Sequence, residues 1–251
     1  MNALASTTNS LNYIQITTAV LSVLGIFFVD FNTTHIIIAI ISFYLYSIIG
    51  ISLMLHRYYT HKSFEFKFDW LRKIFTLIAI LASRGSPLGW VYIHRYHHSK
   101  SDTQDDPHSP SVTGFKIFKF FDHMAEKKVN KFLVKDLVNK EQLFISQYYV
   151  GIILAFVFLL ALIDLSLVYF VYILPVFLTH ISQVCFNYFA HKSGYRNVKT
   201  RDKSTNNILL WPFILGDAWH NNHHANAAKL NTKIKWWEWD PIASFVKVIE
   251  K

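Results

Sequence analysis

The sequence predicts an all-α integral membrane protein, four transmembrane helices in two hairpins with a cytoplasmic helical cap, on three observations. Four apolar stretches, roughly 11–29, 33–55, 143–163 and 166–190, each have about the 20 residues that a helix needs to cross a hydrocarbon core of about 30 Å. The connections within each pair are short, "DFNTT" and "DLS", as in helical hairpins. All 25 Lys and Arg residues fall in 57–140 and 192–251, outside those stretches. That asymmetry puts both short connections outside and both basic segments on the cytoplasmic face.

The same asymmetry puts both termini on the cytoplasmic side, and the first stretch has neither the basic start nor the cleavage site of a secretory signal. The second stretch runs into "HRYYTH" at 56–61. A fifth apolar stretch, 70–93, is interrupted by Arg72, Lys73, Arg84 and the "GSP" of 85–87. It reads as one interfacial or buried helix of the cap, not a span, and leads straight into His94. The polar, Lys-rich 101–142 reads as loop plus surface helix. The chain is expected to be a single domain, 1–251, with its cap built from 56–142 and 191–251. A net charge of +9 also suits a nucleic-acid binder, but its absence from every apolar stretch favours a membrane protein. One cysteine, Cys185, excludes an internal disulfide framework.

Nine of the 13 histidines stand in four groups next to the cytoplasmic ends of these helices: His56 and His61; His94, His97 and His98; His191; His220, His223 and His224. HxxHH occurs twice, and on a helix positions i, i+3 and i+4 share a face. His56 and His61 are five apart, so that pair needs a helix end or a distortion between them. Asn187 is four before His191 and shares its face. Nine imidazoles are too many for one ion, and two metals with four or five nitrogens each would use them. A structural zinc site takes four ligands, often cysteines. A paired, nitrogen-rich site beside hydrocarbon suits iron and dioxygen, acting on the unactivated C–H bonds of acyl chains. His35, His108 and His123 read as ordinary surface or loop residues. His180 and Gln183, on roughly the stripe that continues to Asn187 and His191, read as lining an interior cavity.

These segments resemble those of the membrane-bound fatty acyl desaturases, the stearoyl-CoA desaturase family. "HRYYTH", "HRYHH" and "WHNNHH" resemble its three histidine boxes, and "SDTQDDPHSP" (101–110) its acidic stretch ending in Asp-Pro-His. "GFKIF" from Gly114, "NYFAHKSG" (187–194), "GDAWHNNHHAN" (216–226) and "WWEWDP" (236–241) resemble further segments, in order over roughly 45–245. The resemblance implies four spans and a cap holding two iron ions. It implies His56, His61, His94, His97, His98, His191, His220, His223 and His224 as ligands, with Asn187 acting through a water. It implies insertion of a cis double bond into a saturated acyl chain, using dioxygen and two electrons. Tyr92 and Ile93 stand where acyl-CoA members usually carry Arg-Asp. That is closer to the bacterial and cyanobacterial acyl-lipid branch, whose setting would be an inner membrane or thylakoid. The carrier is therefore open between acyl lipid and acyl-CoA. After the third box, Asn226-Ala227 replaces the usual Phe-Pro.

A saturated chain has no polar handle at its middle, so a bent apolar tunnel must set the position of attack. Trp90 and Trp219, each next to a box, are candidates for its wall. Metal-bound imidazoles usually donate their other N–H to a carboxylate; Asp102, Asp105, Asp106 and Asp217 are the candidates, Asp106 and Asp217 nearest the motifs. The sequence contains no cysteine cluster for an Fe–S centre, so electrons are expected from a separate donor, a ferredoxin or a cytochrome b5-like protein. A hydroxylase of acyl chains or alkanes, or a carotenoid ketolase, would share the site. The non-enzymatic alternative is a membrane metal or haem carrier.

Overall fold

The computed structural model describes residues 2–106, 109–114 and 131–251. His108, His123 and most of "GFKIF" lie outside them. Among the described residues the secondary structure is helical, with isolated bridges and no named strand. The principal helices are α1 (Asn2–Gly25), α2 (Thr33–Thr60), α3 (Asp69–Leu81), α4 (Pro87–Lys100), α5 (Lys140–Ile163), α6 (Leu165–Phe189), α7 (His220–Ala225) and α8 (Pro241–Ile249). Among the described residues, α2, α5 and α6 are long and apolar enough to cross a membrane, and Tyr13–Gly25 of α1 is a shorter apolar helix.

The two short connections are built to start helices. Asn32 accepts the His35 N–H at 2.9 Å and begins α2. Asp164 accepts the Ser166 N–H at 2.7 Å and begins α6. Asn139 caps α5 through the Gln142 N–H. Each side chain satisfies a donor that the first helical turn leaves over. The long helices keep apolar side chains on their outer faces, among them Ile37 and Ile41 of α2 and Leu154, Phe158 and Leu162 of α5. Their inner faces pack into one core with α3 and α4, where Leu53, Met54, Leu55, Ala79 and Val91 are almost completely buried.

Two local features depart from a plain reading of the sequence. First, α2 changes its winding from Leu45 to Thr60, where it becomes a π-helix closed by i→i+5 bonds; the His61 N–H donates to the His56 carbonyl at 3.1 Å. That wide winding is rare and gathers at functional sites. It is the distortion that the five-residue spacing of His56 and His61 demands. Second, 70–93 is two helices, not one. Ser83 (φ 56°) and Gly85 (φ 103°) take left-handed backbone and end α3. Ser86 then caps a new helix by accepting the Gly89 N–H, and Pro87 occupies its first turn. His94, His97 and His98 thus lie inside α4 and do not follow it, and the helix presents them at fixed angles.

Candidate metal centre

The nine histidines converge into two groups. His56, His61, His94, His98 and His223 form one, and His97, His191, His220 and His224 the other; within each, one ring nitrogen per residue lies within 4.8 Å of all the rest. The helices explain the sorting. In α4 the i, i+4 pair His94 and His98 joins the first group, while His97 turns to the second. In α7 the i, i+4 pair His220 and His224 joins the second, while His223 turns to the first. Each HxxHH therefore serves both groups, which is why the motif is needed twice. The π-wound end of α2 completes the first group and the end of α6 the second.

Nitrogens face one another at the spacing of shared ligands. His56 Nε2 is 3.1 Å from His223 Nε2, His94 Nε2 is 3.1 Å from His98 Nε2, and His191 Nε2 is 3.0 Å from His220 Nε2. Two nitrogens each about 2.1 Å from one ion stand about 3 Å apart. His61 Nε2 and His224 Nε2 are buried without a hydrogen-bond partner, a costly state for polar atoms that a cation relieves. The donor set fits metal ions.

Carboxylates fix the rings from behind. Asp106 lies 2.9 Å from His97 Nδ1, Asp102 2.9 Å from His191 Nδ1, Asp202 2.7 Å from His224 Nδ1 and Asp217 3.2 Å from His56 Nδ1. Burial alone raises the Asp202 carboxyl, but the hydrogen bond and charge of His224, with the Ser204 and Thr200 hydroxyls, outweigh it. Asp102 is likewise raised by burial and lowered further by His191, Ser109 and the Lys203 N–H. Both stay ionised, so each Nδ1 carries a proton and each Nε2 offers a lone pair. Burial also pushes the imidazoles of His94, His98, His220 and His223 well below their ordinary range, His61 down to about 2 and His224 to about 4. Near neutral pH these rings are uncharged, the form that binds metal.

Asp217 belongs to a larger network. Arg57, 3% exposed, donates to Asp217 at 2.9 Å and to both oxygens of Asp240 at 3.0 and 3.1 Å. Asp240 caps α8 through the Ala243 N–H and accepts from Thr232. Sequence reasoning missed Arg57, Asp202 and Asp240. Arg57 sits inside the first box and could have been found there, whereas nothing local marks Asp202, which reaches His224 only through the fold. Asp105 is exposed.

A cavity of about 60 Å³ opens beside the histidines, lined by Ile51, His56, Trp90, Ile93, His94 and Asn187, with Arg84, Gln183, Phe186 and Asp217. Trp90 stacks on His94 at 4.6 Å. Asn187 and Gln183 are on the cavity wall. Two expected wall residues are not. His180 is buried and accepts from Arg84, 2.6 Å from its Nδ1, and it is Arg84 that lines the cavity. Trp219 is almost fully buried under the site, its indole N–H donating to the Trp239 carbonyl.

Comparison with known proteins agrees with this geometry. The fatty acid desaturase family model matches residues 32–247. The chain is 32% identical to the sn-1 stearoyl-lipid 9-desaturase of Anabaena variabilis over 219 residues, covering 84% of this chain and 79% of the relative. It is 34% identical to Delta-9 acyl-lipid desaturase 1 of Arabidopsis thaliana over 80% of this chain and 68% of that one. It is 33% identical to an acyl-CoA C20 Delta5-desaturase of Anemone leveillei, over 84% and 70% respectively.

Proposed function

The chain belongs to the fatty acid desaturase family and is an acyl desaturase, an oxidoreductase of the membrane; from that premise we propose that it inserts a cis double bond into a saturated acyl chain carried by a membrane lipid, with two iron ions held by the nine histidines. The observation that carries this reading is the division of nine imidazoles into groups of five and four beside one cavity. His56, His61, His94, His98 and His223 would hold one iron. His97, His191, His220 and His224 would hold the other, with Asn187 reaching it through a water. Bound there, iron supplies the activation of dioxygen that removal of two hydrogens from adjacent carbons requires, with two electrons and two protons from outside and two waters as by-product.

The chain's own side chains do the positioning. Asp102, Asp106 and Asp202 hold protons on Nδ1 and aim Nε2 inward, and Asp217 stands behind His56. Trp90 fixes the His94 plane by stacking. Ile51, Ile93 and Phe186 make much of the cavity wall apolar, so a methylene segment is preferred there to water. Tyr92 and Ile93, apolar where a CoA-binding member usually carries charge, favour a lipid carrier.

In this reading 1–251 is one domain. α1, α2, α5 and α6 are four spans in two hairpins, with the histidines and both termini on the cytoplasmic side. The net charge of +9, concentrated outside the apolar stretches, suits an acidic separate electron donor, a ferredoxin or a cytochrome b5-like protein. Expression in cells of defined lipid composition, followed by mass-spectrometric location of new double bonds in each lipid class, tests the reading. Loss of two hydrogens from lipid-bound chains is expected, and is abolished in His97→Ala and His223→Ala, one from each group. Gain of oxygen instead would establish a hydroxylase.

A further inference from the structure

The cavity beside the histidines, about 60 Å³, has room for a few waters and not for an acyl chain. A chain fits there only if part of the wall gives way. One part is a thin layer of buried side chains. Phe186 lines the cavity and packs edge-on against His220 at 4.7 Å. On its other side it joins Leu210 and Ile214 in a small buried cluster. Leu210 and Ile214 in turn line a second, far larger space: a groove of about 990 Å³ between α2, α6 and the helical turns Ile208–Leu210 and Trp211–Ile214.

That groove has the polarity of a lipid. Ser193 and Asn207 stand at the end beside the cap, and Phe31 and Ile36 at the far end. Between them the lining is almost wholly apolar, with Phe43, Leu178, Ile181 and Cys185 among its residues. Two of its walls are helices long and apolar enough to span a membrane, so in the four-span reading it opens toward hydrocarbon. The turn that separates groove from cavity is anchored by Trp211, whose indole N–H donates to the Trp239 carbonyl at 3.0 Å and whose ring stacks on Trp239. The Tyr44 hydroxyl donates to the Pro212 carbonyl at 2.9 Å, tying it to α2. Leu215, which follows it, has φ +50°, a left-handed conformation that costs a non-glycine residue energy.

We propose that the acyl chain of a bilayer lipid lies in this groove, its polar end at Ser193 and Asn207, and passes sideways into the histidine-lined cavity when Phe186 swings aside and Leu210 and Ile214 part behind it. The proposal rests on the desaturase reading above and assigns to it a substrate route and a gate. A carrier dissolved in water has no need of the groove; a lipid already in the bilayer enters it by diffusing in the plane.

The test uses the iron-loaded full chain in phosphatidylcholine vesicles containing a phosphatidylcholine with a diazirine at mid-chain. After illumination, adducts mapped by mass spectrometry are expected to concentrate on Leu178, Ile181 and Cys185. In Phe186→Ala they are expected to extend to Ile51 and Ile93 in the cavity. Adducts no denser there than on Leu154, Phe158 and Leu162 of α5 overturn the proposal, as does a Phe186→Ala protein whose cavity stays unlabelled. In parallel, Leu178→Trp and Ile181→Trp, which fill the groove, are expected to lower lipid desaturation at least tenfold at unchanged iron content, while Phe158→Trp on the outer face of α5 leaves it as it was. Full activity in the groove-filling variants overturns the route while leaving the desaturase reading intact. Groove adducts on a wild-type protein that makes no desaturated lipid support the groove and overturn the reaction.

Discussion

Arg57 and Asp217, 160 residues apart, form a buried pair at 2.9 Å that ties the first histidine box to the residue behind His56. The same guanidinium holds Asp240, so α2, the turn before α7 and the start of α8 meet on one cation. Gly216 permits the approach, since a Cβ there would fall 2.1 Å from Asp240 Oδ1. Arg57→Ala leaves two carboxylates buried with one charge partner fewer, and a loss of about 3–5 kcal/mol is expected. Arg57→Lys offers a point charge in place of a fork and is expected to recover part of it. Denaturant unfolding of both variants in detergent measures this. An Arg57→Ala protein as stable as wild type would mean the network is not closed in solution.

Asp202 is expected to matter for one metal and not the other. Among the described histidines it touches His224 alone, at 2.7 Å, and His224 belongs to the group of four. Asp202→Asn keeps the shape and removes the charge. Loss of such a backing carboxylate typically weakens metal binding 10–100-fold. With two irons bound as proposed above, titration with a chelator should strip one early and leave the second at its wild-type affinity. Equal weakening of both, or of neither, contradicts the division of the histidines into two groups.

The metal-free protein should lose stability in acid over a defined window. Burial lowers His224 from 6.5 to about 4 and His61 to about 2. Their folded-state values lie below the unfolded ones, so the unfolded chain takes up the protons first. Stability is fully present above about 6.5 and falls as the pH drops from there through about 4, a range worth on the order of 3 kcal/mol for His224 alone. Thermal unfolding of iron-free protein between pH 7.5 and 4 checks the sign. A melting temperature that rises on acidification would show the rings to be charged in the fold.

The helices and the nine histidines were legible because they are written in short-range patterns. Apolar length marks the spans, and i, i+3, i+4 spacing marks α4 and α7. What was hidden depends on backbone conformation or distant contact. The break at Ser83–Gly85 was visible as "GSP" but not its consequence, since left-handed φ at Ser83 is set by packing and not by residue type. The split of each HxxHH between two groups follows from where the opposite helix places its own rings. His180 looked like a cavity residue because its stripe is right, yet Arg84, from the connection between α3 and α4, lies on the wall instead. The Asp202 contact depends on a loop whose course no periodicity records.

Gly194 offers a test of how rigidly the second group is built. It lies three residues after His191 with φ +141°, and a Cβ there would sit 2.2 Å from the Asn206 carbonyl oxygen. That carbonyl accepts the Tyr195 N–H at 3.0 Å, and the Asn206 side chain accepts the N–H groups of Asn221 and Asn222 at the start of α7. Asn206 is thus the joint between the segment carrying His191 and the helix carrying His220 and His224. Gly194→Ala strains the backbone and pushes this joint apart, so a cost above about 1 kcal/mol is expected. Because the displacement separates His191 from His220, now 3.0 Å apart, in the proposed diiron protein the group of four should lose its iron while the group of five retains it. Iron per chain falling toward half, with a lowered unfolding temperature, is the expected pair of results. A variant that keeps both irons but melts early would reduce Gly194 to a fold residue without influence on the metal site.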